Sequence, residues 1–172
     1  MNALTIFTAM LPEHLLLAGI ILLLILEIAG ARRGALALSA LVVIAASVVA
    51  AALYATGYTA SPFAGQFSVG PLPSIAKAVV LALAVPVILL AHDDFGDEGP
   101  FYPLLLSSLY GFCLLMSADS FLTMFLGLEI MSLPVYTMVL LAFYGLSIED
   151  VLQEMRRREG ISGINKKKTQ KN

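Results

Sequence analysis

The stretch that decides the fold is FLTMFLGLEIMSLPVYTMVLLAF, residues 121–143, an apolar run interrupted by a single carboxylate, Glu129. As a helix it is long enough to cross about 30 Å of hydrocarbon. A charge near the centre of a bilayer costs roughly 2.5 to 3.5 kcal/mol on insertion scales and is kept where it faces protein, water or a partner. Glu129 is therefore the first functional candidate.

Working outward, the chain is 59% hydrophobic, and its apolar runs show neither strand alternation nor one-faced helical patterning. Counting runs of membrane-spanning length predicts an all-α, polytopic transmembrane helix bundle of about five spans over residues 1–144. Residues 145–172 are expected to form a short amphipathic helix and a basic tail on the cytoplasmic side. Ser147 and Asp150 suit a helix start, Ile148, Val151, Leu152 and Met155 recur at helical spacing, and Arg156, Arg157, Arg158, Lys166, Lys167, Lys168 and Lys171 follow.

The first span is expected from Leu15 to Gly30, opened by Pro12 and Glu13, which suit a helix start by fixed φ and dipole. Ala29-Gly-Ala31 has the form of a signal-peptidase site. No basic segment precedes the apolar run, Glu27 lies just before the site and Arg32 and Arg33 follow it, so an uncleaved helix is expected. Glu27 is close enough to the interface to meet those arginines.

The second span, Ala35 to Tyr54, carries Ala46 and Ala50 at a spacing that lets helix backbones approach closely. Residues 57–73 read as an uncharged interfacial loop. The third span, Ser74 to Ala91, holds Pro86 in its interior, where a kink is expected, and Lys77 in its first turn. So near an end, Lys77 is expected to reach the headgroups, with a functional cation as the other reading. His92 to Pro100 is an acidic loop. The fourth span, Phe101 to Ser117, offers Ser107, Ser108 and Gly111 for close helix contact, and Asp119 and Ser120 turn the chain into the fifth.

Cys113 is the single cysteine, which excludes an internal disulfide, a thiolate metal cluster and an iron–sulfur site within this chain. His14 and His92 stand far apart without a metal-ligand pattern, and no cofactor is expected on the chain. The expected surroundings are a lipid bilayer and protein, not nucleic acid. Of the 10 Lys and Arg residues, those at 156–158, 166–168 and 171 lie in the tail, so the C-terminus is expected inside and, with five spans, the N-terminus outside.

At 1.5 Å per residue Glu129 lies about 12 Å along its helix, close to the midplane. Ser132 and Tyr136 share its face and offer hydroxyls, while Pro134 frees the carbonyl of Ile130. A carboxylate there can take up and release protons if burial favours its neutral form and a nearby cation the charged one. Physics alone leaves a structural glutamate equally open.

Residues 99–144, with Phe101-Tyr-Pro-Leu-Leu-Leu106, Leu114-Leu-Met-Ser-Ala-Asp119 and Phe125-Leu-Gly-Leu-Glu-Ile-Met-Ser-Leu-Pro-Val-Tyr136, resemble the fourth and fifth helices of subunit N of bacterial NADH:quinone oxidoreductase, complex I. The opening Leu11-Pro-Glu13 is similar too. Antiporter-like subunits L and M, and cation/proton antiporter subunits, share the glutamate. The resemblance implies a proton-translocating membrane-arm subunit in the bacterial inner membrane, without a redox centre, driven by electron transfer elsewhere in the complex. It also implies that Glu129 pairs with a lysine on a later broken helix. The family fold has fourteen helices, against which this bundle is incomplete. No lysine within the predicted bundle offers itself except Lys77, so the expectation is a truncated or split subunit, not catalytic alone, with other membrane-arm subunits and a separate chain carrying the later helices as partners. The alternatives are a non-transporting fragment, an assembly or scaffold protein, and a subunit of a related cation/proton antiporter.

Overall fold

The computed structural model describes residues 3–30, 34–92 and 100–143 of the chain. Its elements are α1 (Ala3–Ala9), α2 (Leu11–Ile28), α3 (Ala35–Ala55), β1 (Ala60–Phe63), β2 (Phe67–Val69), α4 (Pro71–Leu90), α5 (Phe101–Met116) and α6 (Phe121–Phe143). They divide into two compact units, residues 1–136 and 137–172, and of the second the described part is 137–143, the last turns of α6. The amphipathic helix and basic tail expected from 145 onward, the acidic loop at 93–99 and the arginines beside Glu27 lie outside the described residues.

The structure is a polytopic transmembrane helix bundle. Helices α2, α3, α4 and α6 are long and apolar enough to cross a membrane, while α5 is a shorter apolar helix of 16 residues. At 1.5 Å per residue α5 reaches about 24 Å. It nevertheless runs between the two ends of α4. His92, just past the end of α4, meets the Tyr102 hydroxyl at 2.9 Å, and the Ser117 carbonyl accepts a hydrogen bond from Ser68 N, just before α4, at 2.9 Å.

Packing follows the small residues. Helix α3 lies against α4, and α2 against α3 and α5. Ala46 and Ala50 are fully buried, and Ser47 Oγ donates to the Ala78 carbonyl of α4 at 2.9 Å. Cys113 is buried and free, as inert packing requires. Gly111 of α5 sits against the backbone of α6. A Cβ placed there would lie 2.4 Å from Met131 N, and one on Gly127 would lie 2.9 Å from Leu115 N. Helix α4 continues through Pro86.

The uncharged loop expected at 57–73 is instead a β-hairpin followed directly by the start of α4. Strand β1 pairs antiparallel with β2, with Ala60 opposite Val69 and Phe63 opposite Phe67, and the register shifts between those pairs, where Pro62 has no N–H to give. Gly65, at φ 72°, makes the turn. The hairpin then gains a third edge. Phe67 pairs with Ala118, Asp119 N donates to the Gln66 carbonyl at 3.0 Å, and Ser68 Oγ donates to Asp119 Oδ1 at 2.8 Å. Ser120 begins α6 as a cap, its Oγ accepting from Thr123 N at 3.1 Å.

Gly111→Ala should lower stability by about 1 to 3 kcal/mol, because the added methyl meets backbone that cannot move aside. Gly34→Ala, with nothing within 4 Å, should leave it unchanged. Equilibrium unfolding of the purified chain in mixed micelles measures both.

Candidate functional site

The charge that sequence reading placed at the membrane edge is inside the bundle. Lys77 is 2% exposed, and its Nζ donates to Glu13 Oε1 at 2.5 Å, with Glu13 itself 1% exposed. Lys77 does not snorkel, for two physical reasons: a carboxylate from α2 neutralises it in place, and Phe67 of the hairpin lies over it, 5.3 Å from Nζ to the ring centroid. Phe67 and Val69 are buried with Ala9, so hairpin and α1 together close this end of the bundle.

Local sequence explains how each partner is positioned. Pro12 at the first turn of α2 starts the helix where no amide partner is needed, which sets Glu13 one residue inside. On α4 the helix begins at Pro71 and Lys77 follows six residues on, about 9 Å along the axis. Both helices enter from the same end of the bundle. Tyr110 and Cys113 of α5 complete the surroundings, Tyr110 within electrostatic reach of Glu13 and Cys113 within reach of both charges. Glu13 Oε2 is buried without a hydrogen-bond partner, as are Ser74 Oγ and Ser117 Oγ.

Glu13 was legible only as a helix-start residue. The missed signal was the occurrence of two opposite charges within the first two turns of two apolar helices that start at the same end.

Glu129 is half-buried on α6. No hydrogen bond or ion pair among the described residues reaches its carboxylate. The Ser132 hydroxyl turns to the Glu129 backbone carbonyl at 3.4 Å instead of the side chain, and Tyr136 is 68% exposed. The structure thus brings Ser132 beside Glu129 without a side-chain bond, and gives Lys77 to Glu13 in place of Glu129. Among the described residues no cluster of histidine, cysteine and carboxylate side chains could hold a metal ion. His14 and His92 are both exposed, with Nδ1 of His14 near the Met10 carbonyl.

No family model matches the chain. It is 34% identical over 141 residues to NADH-quinone oxidoreductase subunit N of Laribacter hongkongensis (strain HLHK9), an alignment covering 77% of this chain and 28% of the relative. Over that part of its length the chain is similar to subunit N. Subunit N of Rubrobacter xylanophilus (strain DSM 9941 / JCM 11954 / NBRC 16129 / PRD-1) is 31% identical over 164 residues, 91% of this chain and 32% of the relative. The chain thus spans somewhat under a third of these relatives. A second likeness is of another kind. Over 32 residues, 19% of this chain, it is 81% identical to phosphoribosyl-ATP pyrophosphatase of Dechloromonas aromatica (strain RCB), covering 30% of that protein.

Removing one member of the buried pair leaves an uncompensated charge, so Lys77→Met should cost about 3 to 5 kcal/mol while Lys77→Met with Glu13→Leu should recover most of that loss. A double-mutant cycle by equilibrium unfolding measures it.

Proposed function

We propose that this chain supplies part of a proton-translocating membrane-arm subunit of NADH:quinone oxidoreductase, with Glu129 as a proton site. The observation that carries this reading is a half-buried carboxylate within a membrane-spanning helix, in a chain similar to subunit N. In this reading electron transfer takes place elsewhere in the complex, and this chain carries no redox centre. Neighbouring membrane-arm subunits, or a separate chain with later helices, bring the cation that Glu129 lacks. The chain lies in the bacterial inner membrane with its N-terminus outside, which puts the Glu13–Lys77 end outward.

One midplane carboxylate does not carry a proton across about 30 Å of hydrocarbon, because transfer needs groups or waters at hydrogen-bond spacing along the way. Transport is therefore a property of the assembly. Glu129→Gln keeps the shape and removes the charge. In the assembled complex it should reduce coupled proton transfer by about tenfold or more with assembly intact, measured as quinone-linked acidification in sealed vesicles. Unchanged pumping would remove the relay role, and loss of assembly alone would favour a scaffold.

The short likeness to phosphoribosyl-ATP pyrophosphatase supports a second reading, for the tail alone. The Laribacter alignment takes 77% of the chain and the pyrophosphatase alignment 19%, and the sequence changes from apolar to charged after Gly145. We assign the 32 matched residues to the C-terminal end of the chain, which takes in the charged stretch after Gly145, and give them no catalytic role. Deleting residues 145–172 should then leave membrane insertion and association with the membrane arm unchanged, as read by fractionation and co-purification. Loss of association would make the tail part of the subunit's own docking surface.

A further inference from the structure

Among the described residues three buried polar atoms stand without a protein partner, Glu13 Oε2, Ser74 Oγ and Ser117 Oγ, and chain geometry sets both serines at the end of the bundle that holds the ion pair. Ser74 is one turn before Lys77 on the same face of α4. Ser117 follows Cys113 by one turn, and Cys113 feels both charges of the pair. The residue after Ser117, Ala118, pairs with Phe67, whose ring covers Lys77. Three other buried or half-buried helix serines behave differently. Ser39 donates to the Leu36 carbonyl at 2.8 Å, Ser47 to Ala78 at 2.9 Å and Ser107 to Pro103 at 2.7 Å.

An unpartnered buried hydroxyl or carboxylate oxygen carries its full desolvation cost unless water reaches it. A single oxygen of this kind is a local defect. Three on three elements, around a buried ion pair, have the composition of an internal water site, since such a water requires two to four polar partners.

We propose that Glu13 Oε2, Ser74 and Ser117 bind ordered water, which makes the Glu13–Lys77 pair a proton-exchanging site at the hairpin end of the bundle. The inference stands on this geometry and does not depend on Glu129. The step balances simply. Lys77 Nζ gives a proton to the Glu13 carboxylate, leaving an amine and a carboxyl group, and the carboxyl proton passes to the water as hydronium. A proton returned from water to the amine restores the ion pair. Phe67 and the hairpin limit access from outside, so exchange runs through the few waters held at the serines.

The test uses the full chain in lipid nanodiscs, with side-chain nitrogen-15 label on lysine and transfer into deuterated water. The Lys77 ammonium, assigned by its loss in Lys77→Met, should exchange faster than the backbone amides of α4. Ser74→Ala and Ser117→Ala should each slow that exchange by about tenfold, the size of one lost hydrogen bond, with the unfolding midpoint unchanged. Ser47→Ala, whose hydroxyl already has a carbonyl, should leave the rate as it was. Ammonium exchange no faster than the α4 amides would establish a dry, sealed pair and overturn the proposal. Fast exchange indifferent to both serine substitutions would overturn it equally, by removing the assigned water ligands.

Discussion

Two opposite charges, neither able to reach bulk water, meet between α2 and α4, and the end of the bundle is built around them. The effective penalty for burying each ion is several kcal/mol, and mutual attraction offsets it only with close geometry and an enclosed surrounding. Both conditions are met by sequence features otherwise hard to explain. Pro12 fixes where α2 begins, so Glu13 falls within reach of Nζ. The chain between α3 and α4 does not run over the surface as a plain loop but folds back, placing Phe67 over the ammonium.

That fold-back creates its own difficulty, because a hairpin near a membrane exposes backbone groups that lipid cannot satisfy. The connection between α5 and α6 resolves it. Residues 117–119 run beside β2 as a short third edge, bonded through Ser117, Ala118 and Asp119. The same bonds hold the C-terminal end of α5 at the level where α4 begins. The ion pair, the hairpin and the α5–α6 turn are thus one arrangement, in which α5, though only 16 residues long, still traverses the bundle.

Hydropathy made the spans legible because it depends on local composition. The starts read for the helices at Ala35 and Phe121 coincide with those observed, and the close packing expected at Ala46, Ala50 and Gly111 is present. The hairpin was obscured by its lack of charge and by Pro62. Yet Phe67 and Val69, two residues apart after Gly65, form the period-2 signal of a strand with one buried face. The ion pair was not legible, since its partners lie 64 residues apart and their meeting depends on which helices are neighbours.

The pair also constrains what Glu129 can be. Lys77 lies about 9 Å into α4 and Glu129 about 12 Å into α6, counted from helix starts at the same end, so their depths are similar. Depth alone would make them partners. Among the described residues Lys77 is the one lysine, and Glu13 already holds it. Moving it to Glu129 would strand Glu13 as an uncompensated buried charge, a loss that a half-buried carboxylate on α6 does not repay. In the proposed function, therefore, the cation for Glu129 comes from beyond the described bundle. The two carboxylates then stand on different terms: Glu13 has a partner built into this fold, whereas no side chain among the described residues pairs with Glu129.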